Sequence, residues 1–374
     1  MSFLQQLDNY PAAPLARRIA SCSGTEIDTA LACDRVGLEQ FACLLAPRIS
    51  DAQLEQLAAR AHRLTTRRFG RTIQLYAPLY LSNECHNGCQ YCGFSADNSL
   101  PRKTLNRQEI DREAGMLHEQ EFRHILLLTG EAPEAAGIGY LESAIRQIRP
   151  MFGSIAIEVF PMESDEYQRM VAAGVDGLTL YQETYDRELY SELHPYGPKS
   201  DYDFRLTAPE RAAAAGFRRV GIGSLLGLGD FLTDTFYTGL HALYLARRFW
   251  RTQVTIGFPR IKPAVGGYTP RTEISDRQLT QLICALRLLI PDAGLVLSTR
   301  ESAELRNNLL PLGITQMSAG SCTAPGGYAG EDHQGEQFSI SDHRSPQEFS
   351  QQVKSFGYEA VWKDWDCAFL NRAG

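Results

Sequence analysis

Three cysteines, Cys85, Cys89 and Cys92, fall in a Cys-x3-Cys-x2-Cys spacing within the stretch LYLSNECHNGCQYCGF. Thiolates this close bind soft metals well, and Cys-x2-Cys steps are usual in iron–sulfur ligation. No fourth cysteine is near. Three ligands on a four-iron cluster leave one iron without a protein ligand, and in metal enzymes an open coordination position marks a reactive site. Three other readings compete. Structural zinc needs a fourth ligand, and His86, the local candidate, sits beside Cys85 and points poorly at the same metal. A disulfide leaves an odd thiol and suits a secreted chain. Three unrelated buried thiols complete the alternatives.

Such a loop needs a scaffold. The chain has 374 residues, 44% hydrophobic and 22% charged. That is ordinary globular usage and enough length for one large α/β barrel with extensions. A net charge of −7 argues against a general nucleic-acid surface. The start, MSFLQQLD, lacks a basic segment followed by an apolar one, so no secretory signal is read. The most apolar long window, Leu279 to Leu297, is broken by Arg287, Pro291 and Asp292 and is not a membrane span. Nine cysteines without an export signal point to a reducing, cytoplasmic setting and mostly free thiols. Cys22, Cys33 and Cys43 lack ligand-like spacing and read as core or surface thiols.

Residues 1–70 read as a helical extension. Asp51 is expected to cap a helix in which Leu54, Leu57, Ala58, Ala61 and Leu64 recur at helical spacing, and Gly70 ends it. From residue 71 strands and helices alternate. Strands are expected over 73–81, 124–128, 155–159, 177–180, 219–222, 253–256, 294–297 and 314–317. Pro78 is awkward inside the first. Asn106 with Glu109 reads as a capping box. Helices are expected over 164–173, 209–215, 235–249, 275–289 and 301–310. Gly174, Gly216 and Gly313 stand where left-handed residues end helices before strands. Alternation implies parallel strands and right-handed crossovers, and about eight units make a TIM-type (β/α)8 barrel spanning 71–320. Residues 321–374 read as a C-terminal segment packing on the barrel. It holds a helix over 346–356 and a tail whose Trp362 and Trp365 pack on the barrel. The N-terminal helices and the segment after Met317 are expected to cover the barrel rather than act in catalysis.

The cysteine spacing, with Tyr91 before the last cysteine, resembles the signature of radical S-adenosylmethionine enzymes. PLYLSNECHNGCQYCGFSADN, with LLLTGE, LYQETY, LSTRES and VWKDWD further on, resembles the 2-iminoacetate synthases, the tyrosine lyases (ThiH) of thiamine biosynthesis, over essentially the whole chain. The resemblance implies the same barrel. It implies a [4Fe–4S] cluster on Cys85, Cys89 and Cys92 whose open iron takes S-adenosyl-L-methionine. It implies cleavage of the Cα–Cβ bond of L-tyrosine to 2-iminoacetate (dehydroglycine) and p-cresol, for the thiazole moiety of thiamine. Implied partners are the thiazole synthase subunit (ThiG) and a low-potential donor such as flavodoxin or ferredoxin. The hydrogenase-maturation tyrosine lyase carries a second cluster on a C-terminal three-cysteine extension. Here that region has only Cys322 and Cys367, which argues against it. A tryptophan-cleaving relative and a non-catalytic iron–sulfur module are the remaining alternatives.

A parallel barrel places its active site at the C-terminal mouth, so the residues that end the strands are the candidates. Thr129-Gly130-Glu131 resembles the Gly-Gly-Glu element whose backbone receives the methionine amino group, with Thr129 replacing the first glycine; the alternative is a simple turn. Glu158 suits two ribose hydroxyls as a bidentate acceptor, or a salt bridge within the barrel. Glu183 and Arg205 are candidates for the methionine end, since an arginine fork matches a carboxylate. Gly221-Ile-Gly223-Ser-Leu-Leu-Gly227 lacks full dinucleotide-loop spacing; its glycines are expected to let backbone approach adenine, with Leu225 and Leu226 as an apolar wall. Arg300, Ser318 and Ser321 are candidates for fixing the tyrosine carboxylate, and the resemblance implies that role for Arg300. The competing reading of Arg300 is a salt bridge to Glu301 or Glu304. Arg260 is the weaker candidate.

Overall fold

A computed structural model of the chain describes residues 2–330 and 335–366. Cys367 lies outside the described residues. Eight strands, β1 (Thr72–Ser82), β2 (His124–Thr129), β3 (Ser154–Glu158), β4 (Gly177–Thr179), β5 (Arg219–Gly223), β6 (Gln253–Gly257), β7 (Gly294–Leu297) and β8 (Gln316–Ser318), pair in sequence order. Every pairing is parallel, and β1 bonds to both β2 and β8, so the barrel closes with no free edge.

The side-chain period of two explains the closure. On β1, Ile73, Leu75, Ala77, Leu79 and Leu81 face outward and are buried under the helices. The same holds for Ile125 and Leu127, Ile155 and Ile157, Val220 and Ile222, and Leu295 and Leu297. Each buried Leu or Ile contributes roughly 1.5–3 kcal/mol. The alternate residues, Tyr76, Pro78 and Tyr80 on β1, Leu126 and Leu128 on β2, and Glu158 on β3, line the interior. Pro78 is tolerated because the ladder to β8 stops at Tyr76.

Several elements differ from the expectation. Ser50, not Asp51, caps the helix Asp51–Phe69, and its hydroxyl accepts from the Gln53 N–H. The helix expected from Pro209 begins seven residues earlier, at Tyr202, with the Asp201 carboxylate accepting from the Phe204 N–H at 2.9 Å. Pro209 lies inside it, where it forgoes one backbone bond. Arg205 is thereby on the first turns of a helix. Gly174 (φ 116°) and Gly216 (φ 103°) are the left-handed caps expected, but Gly313 is not among the positive-φ residues. The helix before it, Ala303–Leu309, has already stopped at a right-handed Leu310.

The segment after β8 packs on the barrel and reaches across one end of it. It straps the C-terminal mouth: N–H groups of Gln337, Ser339 and Ser341 donate to the carbonyls of Thr323, Pro263 and Thr299 at 3.0, 3.0 and 2.8 Å. Asp342 then clasps the buried Arg306, and Arg344 at 2.5 Å. Beyond the helix Pro346–Ser355 an unanticipated strand, β9 (Glu359–Val361), adds to the start of β1. The Asp364 carboxylate accepts from Gln74 at 2.9 Å and meets His124 at 3.0 Å at the N-terminal mouth. Trp362 packs edge-on against Phe122, and Arg218 lies 4.2 Å over the Trp365 ring, as expected of these aromatics. The N-terminal helices pack on the outer ring, where Gln281 donates to the Leu44 and Ala46 carbonyls. Among the described residues no helix is long and apolar enough to cross a membrane.

Candidate active site

Cys85, Cys89 and Cys92 follow β1 and line one cavity at the C-terminal mouth, together with Thr129, Gly130, Glu131, Glu158, Glu183 and Arg205. All described cysteines are free thiols, which removes the disulfide reading. Among the described residues no three His, Cys, Asp or Glu side chains gather around one point as a single metal ion requires. His86 turns instead to Glu134, 3.6 Å away. Three free thiols lining one cavity are the kind of donor set that iron–sulfur ligation uses. Burial pushes the Cys89 thiol up to about 12 and raises Cys92, so metal binding must displace protons.

The loop is held from below. The Asn87 carboxamide donates to Glu131 Oε2 at 2.8 Å and to Cys85 Sγ at 3.7 Å. Its oxygen accepts from the Lys199 N–H at 2.8 Å, and the His86 N–H donates to the Glu131 carbonyl at 2.9 Å. Glu131 thus supports the cysteine loop. Gly130 admits that loop: a Cβ there would strike the Glu84 carbonyl and lie 3.0 Å from the Cys85 Cβ. Thr129 Oγ1 is buried on this wall without a hydrogen-bond partner in the described structure, an orphan suited to a polar ligand. Gly130→Ala is expected to cost about 1–3 kcal/mol through overpacking and to lower cluster uptake. Thermal melts and iron content after reconstitution check both.

Glu183 carries φ 71°, a conformation that costs about 1–3 kcal/mol outside glycine. Lys199 Nζ at 2.5 Å and Arg205 Nη2 at 3.4 Å hold it, and Arg205 Nε donates to the Tyr181 carbonyl at 2.8 Å. Burial opposes the charge of Glu183, but Lys199 and Arg205 outweigh it and keep the carboxyl below its ordinary value. Glu158 has no ion-pair partner among the described residues, and burial pushes its carboxyl up to about 7. The salt-bridge reading of Glu158 fails. Tyr91 donates to or accepts from His194 at 2.7 Å, and Leu225 joins it on one wall. Leu226 instead belongs to the main core. Gly223 and Gly257 are required by the Tyr181 ring, which a Cβ at either would meet within 3 Å; an adenine contact is not needed to explain them.

Arg300 lies on the turn that follows β7 and lines the adjoining cavity with Ser318, Ser321, Glu158, Tyr76 and Tyr80. It pairs with neither Glu301 nor Glu304. Its guanidinium lies 3.3 Å over the Phe338 ring and makes one bond, at 3.3 Å, to the Arg260 carbonyl. Arg260 is already taken by Glu301 and Asp276, which withdraws it as a candidate. Ser318 Oγ accepts from the Thr299 N–H at 3.1 Å, while Ser321 Oγ is buried without a partner in the described structure. A cation with an open fork beside an orphaned hydroxyl suits a carboxylate.

Sequence reasoning missed Lys199, Tyr76, Tyr80, Tyr181, Gln337 and Phe338, all of which line these cavities. Tyr76 and Tyr80 were available from the inward register of β1. Lys199, Gln337 and Phe338 sit on irregular segments and carried no periodic signal.

The model of the radical SAM superfamily matches residues 79–235, and that of the biotin and thiamin synthesis associated domain matches 257–359. The 2-iminoacetate synthase of Escherichia coli is 42% identical over 95% of this chain and 94% of its own. That of Salmonella typhimurium is 40% identical over the same shares. The solved structure of the FeFe-hydrogenase maturase HydG from Carboxydothermus hydrogenoformans is 33% identical, with a TM-score of 0.84, over 96% of this chain and 82% of its own.

Proposed function

The chain belongs to the 2-iminoacetate synthase family of radical S-adenosylmethionine enzymes, and we infer that it is a tyrosine lyase, cleaving the L-tyrosine Cα–Cβ bond to 2-iminoacetate and p-cresol. The observation that carries the reading is the sharing of one mouth by three free thiols and an arginine fork without a carboxylate partner among the described residues. Cys85, Cys89 and Cys92 would hold the cluster. When bound and reduced, the cluster and S-adenosylmethionine supply the 5′-deoxyadenosyl radical that takes a hydrogen from the tyrosine amino group.

The chain's own residues bind and orient. Thr129 and the Gly130 backbone receive the methionine amino group, and Arg205, steadied by Glu183, faces the methionine carboxylate. Glu158 accepts from the ribose hydroxyls, with Tyr91 and Leu225 along the nucleoside. Arg300 with Ser318 and Ser321 fixes the tyrosine carboxylate. Phe338, on the strap, screens that pair from water and so strengthens it. The imine product hydrolyses readily, which favours direct transfer to a thiazole synthase subunit, and a low-potential donor such as flavodoxin or ferredoxin supplies the electron.

Anaerobic assay of the reconstituted protein with tyrosine and with tryptophan tests the reading. p-Cresol from tyrosine is expected, and turnover of tryptophan alone overturns it. Glu158 adds a pH dependence. Its carboxyl is raised by burial to about 7, against 4.5 ordinarily, so the folded protein holds its proton more tightly than the unfolded chain. Its contribution to stability is full below about 4.5 and is lost as pH rises through 7. Cofactor binding needs the ionised acceptor and runs the other way: affinity for S-adenosylmethionine should rise several-fold from pH 6 to 8. In Glu158→Gln that slope should flatten, as equilibrium binding at each pH would show.

A further inference from the structure

Gln337 belongs to the strap, 245 residues from Cys92 in sequence, yet its carboxamide stands between the cysteine loop and the substrate cavity. Its Nε2 lies 3.8 Å from Cys92 Sγ, and its Oε1 accepts from the Tyr80 hydroxyl at 2.7 Å. A thiolate sulfur offers no hydrogen, so the amino end of the amide must face it, and the Tyr80 phenol fixes the other end. Tyr80 is held as a neutral donor, since burial first, and the nearby Glu158 next, raise its phenol well above its ordinary value. The backbone is equally specific. A Cβ at Gly93 would strike the Gln337 carbonyl oxygen, so the residue after Cys92 is open to let the strap approach. The Gln337 N–H is fastened to Thr323, and Phe338 packs on Arg300.

We propose that Gln337 is a positioning and tuning residue for the cluster, donating a hydrogen bond from the strap to the Cys92 sulfur. This rests on the three-cysteine ligation inferred above. Hydrogen bonds to cluster sulfurs raise the reduction potential, because the reduced cluster carries one more negative charge for the donor to stabilise. Cys85 receives its amide donor, Asn87, from within its own loop. Cys92 receives one from the far end of the fold, from the strap that also roofs the tyrosine pocket. Cluster reducibility is thereby tied to the strap being in place.

The test is the midpoint potential of the reconstituted cluster, titrated anaerobically with dithionite as the one-electron source and followed by electron paramagnetic resonance. Gln337→Met, which keeps the length and loses the donor, should shift the potential negative. Tyr80→Phe, which frees the amide to rotate, should shift it the same way by less. Phe338→Leu disturbs the roof but not the donor, and should leave the potential in place while raising the KM for tyrosine. An unchanged potential in Gln337→Met overturns the proposal. Equal shifts in all three overturn it too, since solvent entry would then be the cause. If Gln337→Met takes up no cluster, Tyr80→Phe decides alone, and an unchanged potential there is fatal. Failure of the ligation reading looks different: the wild type, or a cysteine variant, would give the wrong cluster content before any potential was measured.

Discussion

Replacing any one of Cys85, Cys89 or Cys92 by alanine is expected to leave a folded protein with no intact cluster and no detectable p-cresol. The thiols line one cavity and no other described cysteine joins them there, so no neighbour can substitute. Iron and sulfide content, visible absorption and product mass measure the loss, and circular dichroism checks the fold. Cys22→Ala and Cys43→Ala are the contrast. Their sulfurs lie 2.9 Å apart under Arg18 in the N-terminal helices, far in the fold from the mouth. These variants should keep both cluster and turnover, with at most a lower melting temperature. Full activity in a Cys85, Cys89 or Cys92 variant would end the cluster assignment.

Arg300→Lys is expected to raise the tyrosine concentration needed for half-maximal rate by about 10- to 100-fold. A charge-assisted hydrogen bond contributes about 1.5–3 kcal/mol, and each 1.4 kcal/mol is tenfold. Lysine keeps the charge but loses the planar fork and the stacking on Phe338. Binding of S-adenosylmethionine should suffer less than binding of tyrosine, because Arg300 is absent from the cavity that all three cysteines line, although it shares a second one with Cys92, Glu158 and Leu225. Badly held tyrosine lets the radical be quenched elsewhere, so 5′-deoxyadenosine should rise relative to p-cresol. If that ratio and the tyrosine dependence both stay at wild-type values, Arg300 is a structural residue that stacks on Phe338. Arg260 could not take over, since Glu301 and Asp276 already occupy it.

The barrel was legible because its signals are local and repeated. Apolar runs marked the strands β1, β2 and β3, and Gly174 and Gly216 marked the helix ends. At Gly313 the same signal misled, since the helix before it had already stopped at Leu310. Pro209 misled in the opposite direction, since a helix already nucleated by the Asp201 cap absorbs one missing bond. At the site, motif residues and strand ends led to the thiols, Glu158, Glu183 and Arg300. Lys199 and Gln337 were invisible because they reach the mouth through tertiary contacts alone: Lys199 from a short turn held by Asn87, Gln337 from a strap with no periodicity. The resemblance supplied the chemistry; it did not supply the strap.

That strap sets an order of events in the cell. The cysteine loop leaves the ribosome early, but Gln337 and the Asp342 clasp on Arg306 follow some 250 residues later. At about 5–20 residues per second, the three thiols wait roughly 10–50 s without their roof. During that time they are open to oxygen and to stray metals. Any helper that delivers iron and sulfide must therefore reach the mouth before the strap latches or be able to lift it.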